Sequence, residues 1–383
     1  MNAPFSKIPN ASPDPIFAIA QKAREAGPEA IDASVGVIID DEGKPVVLES
    51  IRLAAALYAE SLSKSDFNYP PLSGIPGYLD AITNLVLGNS DEPYARIATT
   101  GGTGANATNL RLIKALGYEN IILPTPTWAN HHQLINGSGL CVTEVNYLID
   151  ETPSIDAIIS ALNSDQPSAI YLQAGCHNPT GLDLSEDDWN KLAEALTDSP
   201  HCVLLDFAYQ GFGKGIEEDA KPIQILKNAS IPTLISWSAS KNHCLYGLRT
   251  GAAFAITNNS DDIPMLNRHY SMISRQLYSA APTSGQLIVE ILHNKFADQW
   301  RMELDELRSI LRSRRESLKS KLPDDFQQSL DGHGLYARLP LSEEQILELQ
   351  KRNVFMTMDG RINIAGVPTG RIGELGEKIN SVI

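Results

Sequence analysis

The sequence predicts an α/β protein built around a mostly parallel sheet. Four short apolar runs between residues 95 and 260 have the character of strands, at residues 120–123, 169–172, 203–205 and 234–237. Amphipathic stretches alternate with these runs, which is typical of a parallel sheet covered by helices. Ligands of such sheets bind beyond the carboxyl ends of the strands. We therefore expect the functional residues directly after the apolar runs.

Two of the amphipathic stretches, residues 108–116 and 189–196, carry apolar side chains at helical spacing. The second follows Ser185, a residue type that caps helix N-termini, and acidic residues complement the helix dipole in its first turn. We expect both stretches to be helices that pack on the sheet.

The segment after residue 290 predicts a long helix followed by a second, smaller α/β domain. Pro323 would end the helix, and one of its faces carries the apolar residues Phe296, Trp300, Leu304, Leu307, Leu311 and Leu318. Ser342 and Gln345 form a capping-box pair before a further helix, and residues 361–364 have a strand pattern.

Composition narrows the class of partner to small molecules. The net charge is -15, and the single basic cluster, residues 308–321, is interleaved with Glu316 and apolar residues, which disfavours a nucleic-acid-binding surface. The four cysteines show neither a CxxC pair nor zinc-ligand spacing, so we expect no disulfide scaffold, no metal site and a reducing compartment. No stretch approaches the about 18 apolar residues of a membrane helix, and the N-terminus lacks a secretory signature, so we expect a cytoplasmic protein.

Residues 99–105, TTGGTGA, form a glycine cluster that runs into a helix. Free amides at a helix N-terminus bind phosphate, and glycine lets the ligand approach the backbone closely. The pattern matches neither GxGxxG nor GxxxxGK[ST], which disfavours a dinucleotide or P-loop site. Taken alone, the cluster fits a purely structural turn equally well.

Lys241 follows the apolar run 234–237, at a place where burial would lower the pKa of its amine and make it a Schiff-base nucleophile. Ser238, Ser240 and Arg249 surround it in sequence and would clamp a phosphate dianion. Taken singly, such lysine, serine and arginine residues are more often solvated surface residues.

Two further clusters follow apolar runs in the same way. Asp206 ends the run 203–205, where a carboxylate would pair with the protonated pyridine nitrogen of pyridoxal phosphate, although a lone acid there is more often a turn residue. Asn178 lies in the turn HNPTG after the run 169–172, and by itself this is an ordinary turn sequence.

Together these clusters identify a family. The chain resembles the fold-type I pyridoxal-phosphate aminotransferases, in the branch of aspartate and aromatic amino acid aminotransferases. The matching stretches follow the family order over nearly the whole chain, at residues 32–44, 68–77, 101–105, 127–131, 177–181, 206–213, 238–251, 275–285 and 360–366. The resemblance implies an N-terminal arm with part of the small domain at residues 1–44, a large pyridoxal-phosphate-binding domain at 45–305 and a C-terminal small domain at 306–383.

The resemblance also implies roles around the cofactor. Lys241 would hold pyridoxal 5'-phosphate as a Schiff base and shuttle the α-proton, and Asp206, supported by His131, would pair with the ring nitrogen. Asn178 and Tyr209 would hydrogen-bond the ring oxygen, and Trp128 would lie against the ring face. The implied phosphate ligands are Gly102, Thr103, Ser238, Ser240 and Arg249, with Tyr69 reaching in from the other subunit of a homodimer.

For the substrate, the resemblance implies that Arg361 grips the α-carboxylate, assisted by Asn178, Trp128 and the backbone near Gly36. Arg275, donated by the neighbouring subunit, would bind the distal carboxylate of aspartate, glutamate or their 2-oxo acids. Two arginines at opposite ends of a pocket select dicarboxylates, because a planar guanidinium matches a carboxylate bidentately.

The implied activity is a ping-pong transfer of an α-amino group between aspartate, glutamate or aromatic amino acids and 2-oxo acids. Three positions depart from the family pattern: Gln173 replaces a frequent histidine, Ala280 a common asparagine and Ile38 a frequent aromatic residue. Two alternatives stay open at this point, another pyridoxal-phosphate enzyme such as a β-lyase or decarboxylase, and a non-catalytic phosphate-binding protein.

Overall fold

The computed structural model describes residues 15–63, 67–88, 93–163 and 166–383, so the first 14 residues of the predicted N-terminal arm lie outside the described part. The α-helices are α1 (Pro15–Glu25), α2 (Glu49–Ser61), α3 (Pro76–Leu87), α4 (Gly101–Ala115), α5 (Asn130–Gly137), α6 (Asp156–Ser160), α7 (Glu186–Leu196), α8 (Ile216–Asp219), α9 (Lys221–Asn228), α10 (Ile263–Leu277), α11 (Ser284–Lys295), α12 (Ala297–Lys319), α13 (Asp324–Gln327), α14 (Glu343–Lys351) and α15 (Ile372–Asn380).

The strands divide between one large sheet and several short pairs. They are β1 (Ile31–Asp32), β2 (Tyr94–Thr100), β3 (Asn120–Thr125), β4 (Cys141–Asn146), β5 (Leu148–Ile149), β6 (Thr152–Pro153), β7 (Ser168–Gln173), β8 (Cys202–Phe207), β9 (Thr233–Ser238), β10 (Thr250–Ile256), β11 (Tyr336–Arg338), β12 (Val354–Phe355) and β13 (Arg361–Asn363). All four predicted apolar runs lie within strands of the large sheet, namely β3, β7, β8 and β9.

The large sheet has seven strands in the order β2-β10-β9-β8-β7-β3-β4. Neighbouring strands from β9 to β4 are parallel, whereas β10 runs antiparallel to both β9 and β2. The carboxyl ends of β9, β8, β7 and β3 therefore meet at one edge of the sheet. The predicted α/β class with a mostly parallel sheet between helices is confirmed.

Helix boundaries follow the capping signals in the sequence. Ser185 caps α7 in a capping box with Asp188, and Ser342 caps α14 in the same way with Gln345. The predicted long helix is α12, which begins after Phe296 and ends at Lys319, four residues before Pro323. The prediction placed the start of α4 too late: the helix begins at Gly101, because its first two turns hold small and polar residues that hide the apolar period.

Two hydrophobic clusters explain the position of the long helix. Trp300, Leu304 and Leu311 on α12 belong to the large cluster beneath the main sheet. Leu318, on the last turn of α12, belongs instead to a separate cluster with Ile31 and the C-terminal elements. The helix thus joins both cores, while the predicted domain boundaries at residues 44 and 305 stay predictions.

Strand β1 pairs with β12, which ties the N-terminal part of the described chain to its C-terminal part. Strand β11 pairs with β13 and places Tyr336 opposite Asn363. Among the described residues, no helix is both long and apolar enough to cross a bilayer.

Candidate active site

Asp206 lies near the carboxyl end of β8 and forms the centre of a buried polar cluster. Its side chain is almost fully enclosed, with the residue 7% exposed. Asn106 Nδ2 donates to Asp206 Oδ2 at 2.9 Å, and His131 Nε2 donates to the same oxygen at 3.0 Å. Among the described residues, Asp206 Oδ1 has no hydrogen-bond partner. A buried carboxylate oxygen without a donor is unfavourable, so this oxygen is set to accept a hydrogen bond from a ligand.

His131 is itself held from its second ring nitrogen. Its Nδ1 lies 2.8 Å from Thr127 Oγ1, and because the carboxylate of Asp206 only accepts, the proton belongs on Nε2. Trp128 lies beside this contact, with its ring 5.3 Å from the His131 ring in an edge-on arrangement. Thr127 and Trp128 thus hold the His131 ring, and His131 orients the Asp206 carboxylate through its hydrogen bond.

Lys241 follows β9 by three residues, and its side chain crosses towards the N-terminal segment. Its Nζ donates to the carbonyl oxygen of Gly36 and lies 4.9 Å from the centre of the Tyr246 ring. Burial lowers the pKa of the Lys241 amine from its usual value. A lowered pKa gives a larger fraction of neutral amine, which is the nucleophilic form.

Between Lys241 and the start of α4, hydroxyl, guanidinium and amide groups lie close together in what we call the cup. Arg249 Nη1 donates to Ser240 Oγ at 3.3 Å, and the Ser240 amide donates to Ser238 Oγ at 3.2 Å. Gly101 has φ of 69°, a left-handed conformation that favours glycine, and a Cβ there would displace the Arg249 guanidinium, whose Nη2 it would approach to 2.7 Å. Gly102 and Thr103 form the first turn of α4, whose amides point outward from the helix N-terminus.

Asn178 links Tyr209 to a buried arginine. Its Nδ2 donates to Tyr209 Oη at 3.3 Å, and Arg361 Nη1 donates to Asn178 Oδ1 at 3.3 Å. Arg361 Nη2 donates to the carbonyl of Ser34 at 2.8 Å. Arg361 is 5% exposed, yet within the described part of the chain its Nε has no partner. An unpaired N–H on a buried guanidinium points to an anionic ligand.

Sequence reasoning missed Tyr336, which closes this side of the site. The Tyr336 ring lies 4.8 Å from Arg361 Cζ and meets the Tyr209 ring edge-on at 6.0 Å between centres. A Cβ added to Gly36 would collide with the Tyr336 hydroxyl and would lie 3.3 Å from Lys241 Nζ. No motif singles out Tyr336. Its place in the site follows from the pairing of its strand, β11, with β13, the strand that carries Arg361.

A profile of the family described as "Aminotransferase class I and II" matches residues 28–379. This span is most of the chain. The chain belongs to the class I and II aminotransferases. The transaminase activity and the enzyme class predicted from the sequence are therefore confirmed.

Curated relatives of this aminotransferase carry aspartate and aromatic amino acid names. It is 31% identical to the aspartate aminotransferase of Escherichia coli (strain K12), over 99% of this chain and 100% of the relative. It is 32% identical to the aromatic-amino-acid aminotransferase of Paracoccus denitrificans, over 97% and 98%. The solved aromatic-amino-acid aminotransferase of Burkholderia pseudomallei, covalently bound to pyridoxal phosphate, superimposes with a TM-score of 0.93 at 27% identity, over 99% of both chains.

Two predicted site residues of this aminotransferase lie apart from the buried cluster. Tyr69 is 90% exposed. Arg275 is exposed in the last turn of α10, and its Nη1 donates to Ser279 Oγ at 2.9 Å. Within the described part of the chain, neither residue forms a hydrogen bond with Lys241, with Asp206 or with the residues that hydrogen-bond these two. Gly36 accepts from Lys241 Nζ, Trp128 packs on His131, and Asn178 joins Tyr209 to Arg361. Ser238, Ser240 and Arg249 lie beside Gly101 and Gly102, and Thr103 follows in the first turn of α4.

The positions that depart from the family pattern have identifiable contacts in this aminotransferase. Gln173 exchanges a pair of hydrogen bonds with the backbone of Asn178, each 2.9 Å long, and thereby positions the turn that carries it. Ile38 is buried, and its amide donates to Tyr246 Oη at 3.1 Å. Ala280 is half-buried beside Ser279, the residue that accepts from Arg275. The peptide bonds before Pro126 and Pro179 are both cis.

Proposed function

We propose that this chain is a pyridoxal-phosphate-dependent aminotransferase that moves an α-amino group between aspartate, glutamate or an aromatic amino acid and a 2-oxo acid through Lys241. One observation carries the proposal. A lysine of lowered pKa and a buried carboxylate, Asp206, whose Oδ1 has no partner among the described residues, lie at the carboxyl ends of two neighbouring parallel strands, with the cup beside them. The relatives that are aspartate and aromatic-amino-acid aminotransferases support the choice of substrates, and the pyridoxal phosphate of the Burkholderia pseudomallei enzyme supports the choice of cofactor.

The polar groups fit pyridoxal phosphate at both of its ends. A protonated pyridine N–H would supply the donor that no described residue provides to Asp206 Oδ1. The hydroxyls of Ser238 and Ser240, the guanidinium of Arg249 and the amides of Gly102 and Thr103 would hold the phosphate dianion. Asn178 and Tyr209 would donate to the ring oxygen, and Trp128 would cover the ring face.

When bound, pyridoxal phosphate supplies an electron sink for the charge that develops on the α-carbon of the amino acid. Asp206 would keep the proton on the ring nitrogen, and His131 and Asn106 hold Asp206 in place for this task. Lys241 Nζ would first attach the cofactor and then, once displaced by the substrate amine, carry the α-proton. The lowered pKa of Lys241 favours the neutral amine that both steps require.

Arg361 would bind the substrate α-carboxylate. Its Nε lacks a partner among the described residues, while its two terminal nitrogens are held by Asn178 and Ser34, so the guanidinium is oriented before substrate arrives. The ring of Tyr336 lies against the guanidinium and limits water on that side. A pre-oriented arginine loses little conformational freedom when it binds a carboxylate.

We also propose a homodimer with shared active sites, in which Arg275 and Tyr69 serve the site of the partner subunit. Both side chains are exposed, and neither contacts the buried cluster of its own chain as described above. Phe67 is 80% exposed two residues before Tyr69, so aromatic surface is concentrated in this segment, which is typical of an interface. The unpaired cysteines support the predicted cytoplasmic location, because free thiols persist in reducing compartments.

The test is an absorption titration of the purified protein loaded with pyridoxal phosphate. L-aspartate, L-glutamate and L-phenylalanine are added separately with no 2-oxo acid present. We expect the band of the lysine-bound cofactor to convert to the band of pyridoxamine phosphate, with release of the matching 2-oxo acid. Release of ammonia or carbon dioxide instead would favour the β-lyase or decarboxylase alternative, and an unchanged spectrum with all three amino acids would overturn the proposed substrates.

A further inference from the structure

The basic cluster singled out in the sequence forms a stripe along α12 that the proposed catalysis does not use. Four cationic residues follow one another at intervals of four, three and four, which places them on one face of the helix: Arg308, Arg312, Arg315 and Lys319. Like charges at such spacing repel each other, so the stripe lowers the stability of α12 in isolation. It stands out in a chain whose net charge is -15.

This face of α12 forms one wall of a cavity of about 220 Å³. The opposite walls come from residues 330–334, before β11, and from Phe212 and Gly213, after β8. Two carboxylates, Glu316 and Asp331, also line the cavity, against the four cationic side chains of the stripe. The lining does not include Lys241, Asp206 or Arg361, so this cavity is separate from the proposed active site.

The available carboxylates pair with only part of the stripe. Lys319 pairs with Asp331, and Arg308 pairs with Asp305, which lies outside the cavity lining, at 2.7 Å. In the described part of the chain, Arg312 and Arg315 form no ion pair. Two cationic side chains of the cavity, Arg312 and Arg315, therefore lack an ion-pair partner among the described residues, and the carboxylates of Asp183 and Asp331 act on Arg315 only from beyond ion-pair distance.

Arg315 is the buried member of the stripe. The residue is 4% exposed, and its Nη2 donates to the carbonyls of His333, Gly334 and Tyr336. Its Nη1 is also buried, and among the described residues it has no hydrogen-bond partner. Burial lowers the pKa of Arg315 to about 10, so the guanidinium remains charged at neutral pH and keeps its need for a counter-charge.

We propose that this cavity binds a phosphate group, either free or as a phosphate monoester, through Arg312, Arg315 and Lys319. Planar guanidinium groups match phosphate oxygens bidentately, and the lysine adds a point charge from the next turn of α12. Arg312 and Glu316 are exposed at the cavity, so a ligand has access from solvent. The site lies outside the phosphate cup of the cofactor and would be filled independently of it.

The test is calorimetric titration of the protein, saturated with pyridoxal phosphate, at constant ionic strength. The two probes are inorganic phosphate and glycerol 3-phosphate, with chloride as the control anion, and the tighter probe distinguishes the free ion from an ester. The key variant is Arg312→Gln, because Arg312 is exposed and its loss leaves the carbonyl contacts of Arg315 in place. Losing one charge-assisted contact should weaken phosphate binding roughly tenfold or more.

Two further variants separate a specific site from general electrostatics. Glu316→Gln removes a carboxylate from the cavity and should tighten phosphate binding several-fold. Arg268→Gln makes the same charge change as Arg312→Gln on the exposed face of α10 and should leave the affinity unchanged. Opposite shifts for Arg312→Gln and Glu316→Gln support the proposal. Equal effects of Arg312→Gln and Arg268→Gln, or no phosphate binding in the cofactor-saturated protein, overturn it.

Discussion

The two ends of the proposed active site are built in contrasting ways. At the cofactor end, Asp206, His131 and Asn106 are buried and joined by hydrogen bonds within one chain. At the distal substrate end, Arg275 is exposed and donates a hydrogen bond to Ser279 Oγ. The groups proposed to perform the chemistry therefore lie at the sheet edge of one chain. The predicted selectivity for dicarboxylates depends instead on Arg275, an exposed side chain.

This contrast has a consequence for substitution. Changes at the cofactor end disturb a network in which each group satisfies another, so they should abolish turnover for every substrate. Changes at the distal end leave that network intact and should affect only those substrates that reach it. A ranking of variants by substrate dependence therefore tests whether the two ends are separable.

The largest effect is expected for Lys241→Ala. This change removes both the attachment point and the proton carrier, so kcat should fall by about 10⁴-fold or more for all donors. The measurement is steady-state turnover with aspartate and with phenylalanine. Equilibrium dialysis should still detect bound pyridoxal phosphate, because the phosphate cup and Asp206 remain. A variant that loses phenylalanine turnover but keeps aspartate turnover would contradict the assignment of Lys241.

Asp206→Ala should reduce kcat by about 10³-fold for every donor, because the ring nitrogen loses the negative charge that keeps it protonated. Circular dichroism should detect a retained fold. The matched control is His131→Gln, which removes a supporting hydrogen bond but not the carboxylate, and its effect should be much smaller. Near-normal turnover in Asp206→Ala would contradict the electron-sink assignment.

At the distal end, Arg275→Ala should lower kcat/KM for aspartate by about 10²-fold, since a bidentate charge-assisted contact is lost. Phenylalanine carries no distal carboxylate, so its kcat/KM should change little. Equal losses for both substrates would assign Arg275 to the fold rather than to substrate recognition.

Mixing two inactive variants tests the proposed sharing of Arg275 between subunits. If Arg275 acts in the partner's site, a hybrid dimer of one Lys241→Ala chain and one Arg275→Ala chain contains one intact site. Random mixing makes about half of the dimers hybrid, so aspartate turnover should return at about a quarter of all sites. If Arg275 serves its own chain, every hybrid site carries one lesion and no aspartate turnover returns.

The same contrast explains how much could be predicted from the sequence. The strands that end at the site are continuous apolar runs, so Asp206 and Lys241 could be located from the residues that follow those runs. The antiparallel strand β10 was not predicted, because apolar character does not encode strand direction. The early start of α4 was missed because its glycine and threonine residues obey local turn preferences, and the packing of the helix on the sheet overrides them.

Residues that act through long-range contacts could not be predicted in the same way. Gln173 supports Asn178 across a turn, and Tyr336 approaches Arg361 through strand pairing, and neither has a local sequence signature. Arg275 could be named only through the family resemblance, because nothing near it in sequence indicates a ligand. Such roles depend on the fold being known first.

A smaller effect is expected on stability, through His177 in the turn before Asn178. Burial lowers the pKa of His177 to about 3, against 6.5 for the unperturbed side chain. The unfolded chain therefore binds a proton that the folded chain does not, and stability falls as pH falls below 6.5. Between pH 7 and pH 5, His177 should account for about 2 kcal/mol of lost unfolding free energy. Urea unfolding of His177→Phe, which keeps a ring beside Tyr147, should have a correspondingly shallower pH dependence, and parallel curves would contradict it.

The smallest effect is expected for Tyr336→Phe, which removes only a hydroxyl and keeps the ring over Arg361. Burial lowers the pKa of Lys241, and Tyr336 opposes this shift only through a charge on its oxygen, which a phenol hydroxyl does not carry in the acidic range. The acidic limb of the kcat profile should therefore stay in place, while kcat at its plateau changes by less than about tenfold. Tyr246→Phe is the matched control, since its ring also lies beside Lys241 Nζ but its hydroxyl accepts from the Ile38 amide. An acidic limb displaced in Tyr336→Phe but not in Tyr246→Phe would contradict this expectation and give the Tyr336 hydroxyl a part in the proton chemistry of Lys241, which otherwise depends on the desolvation of the amine.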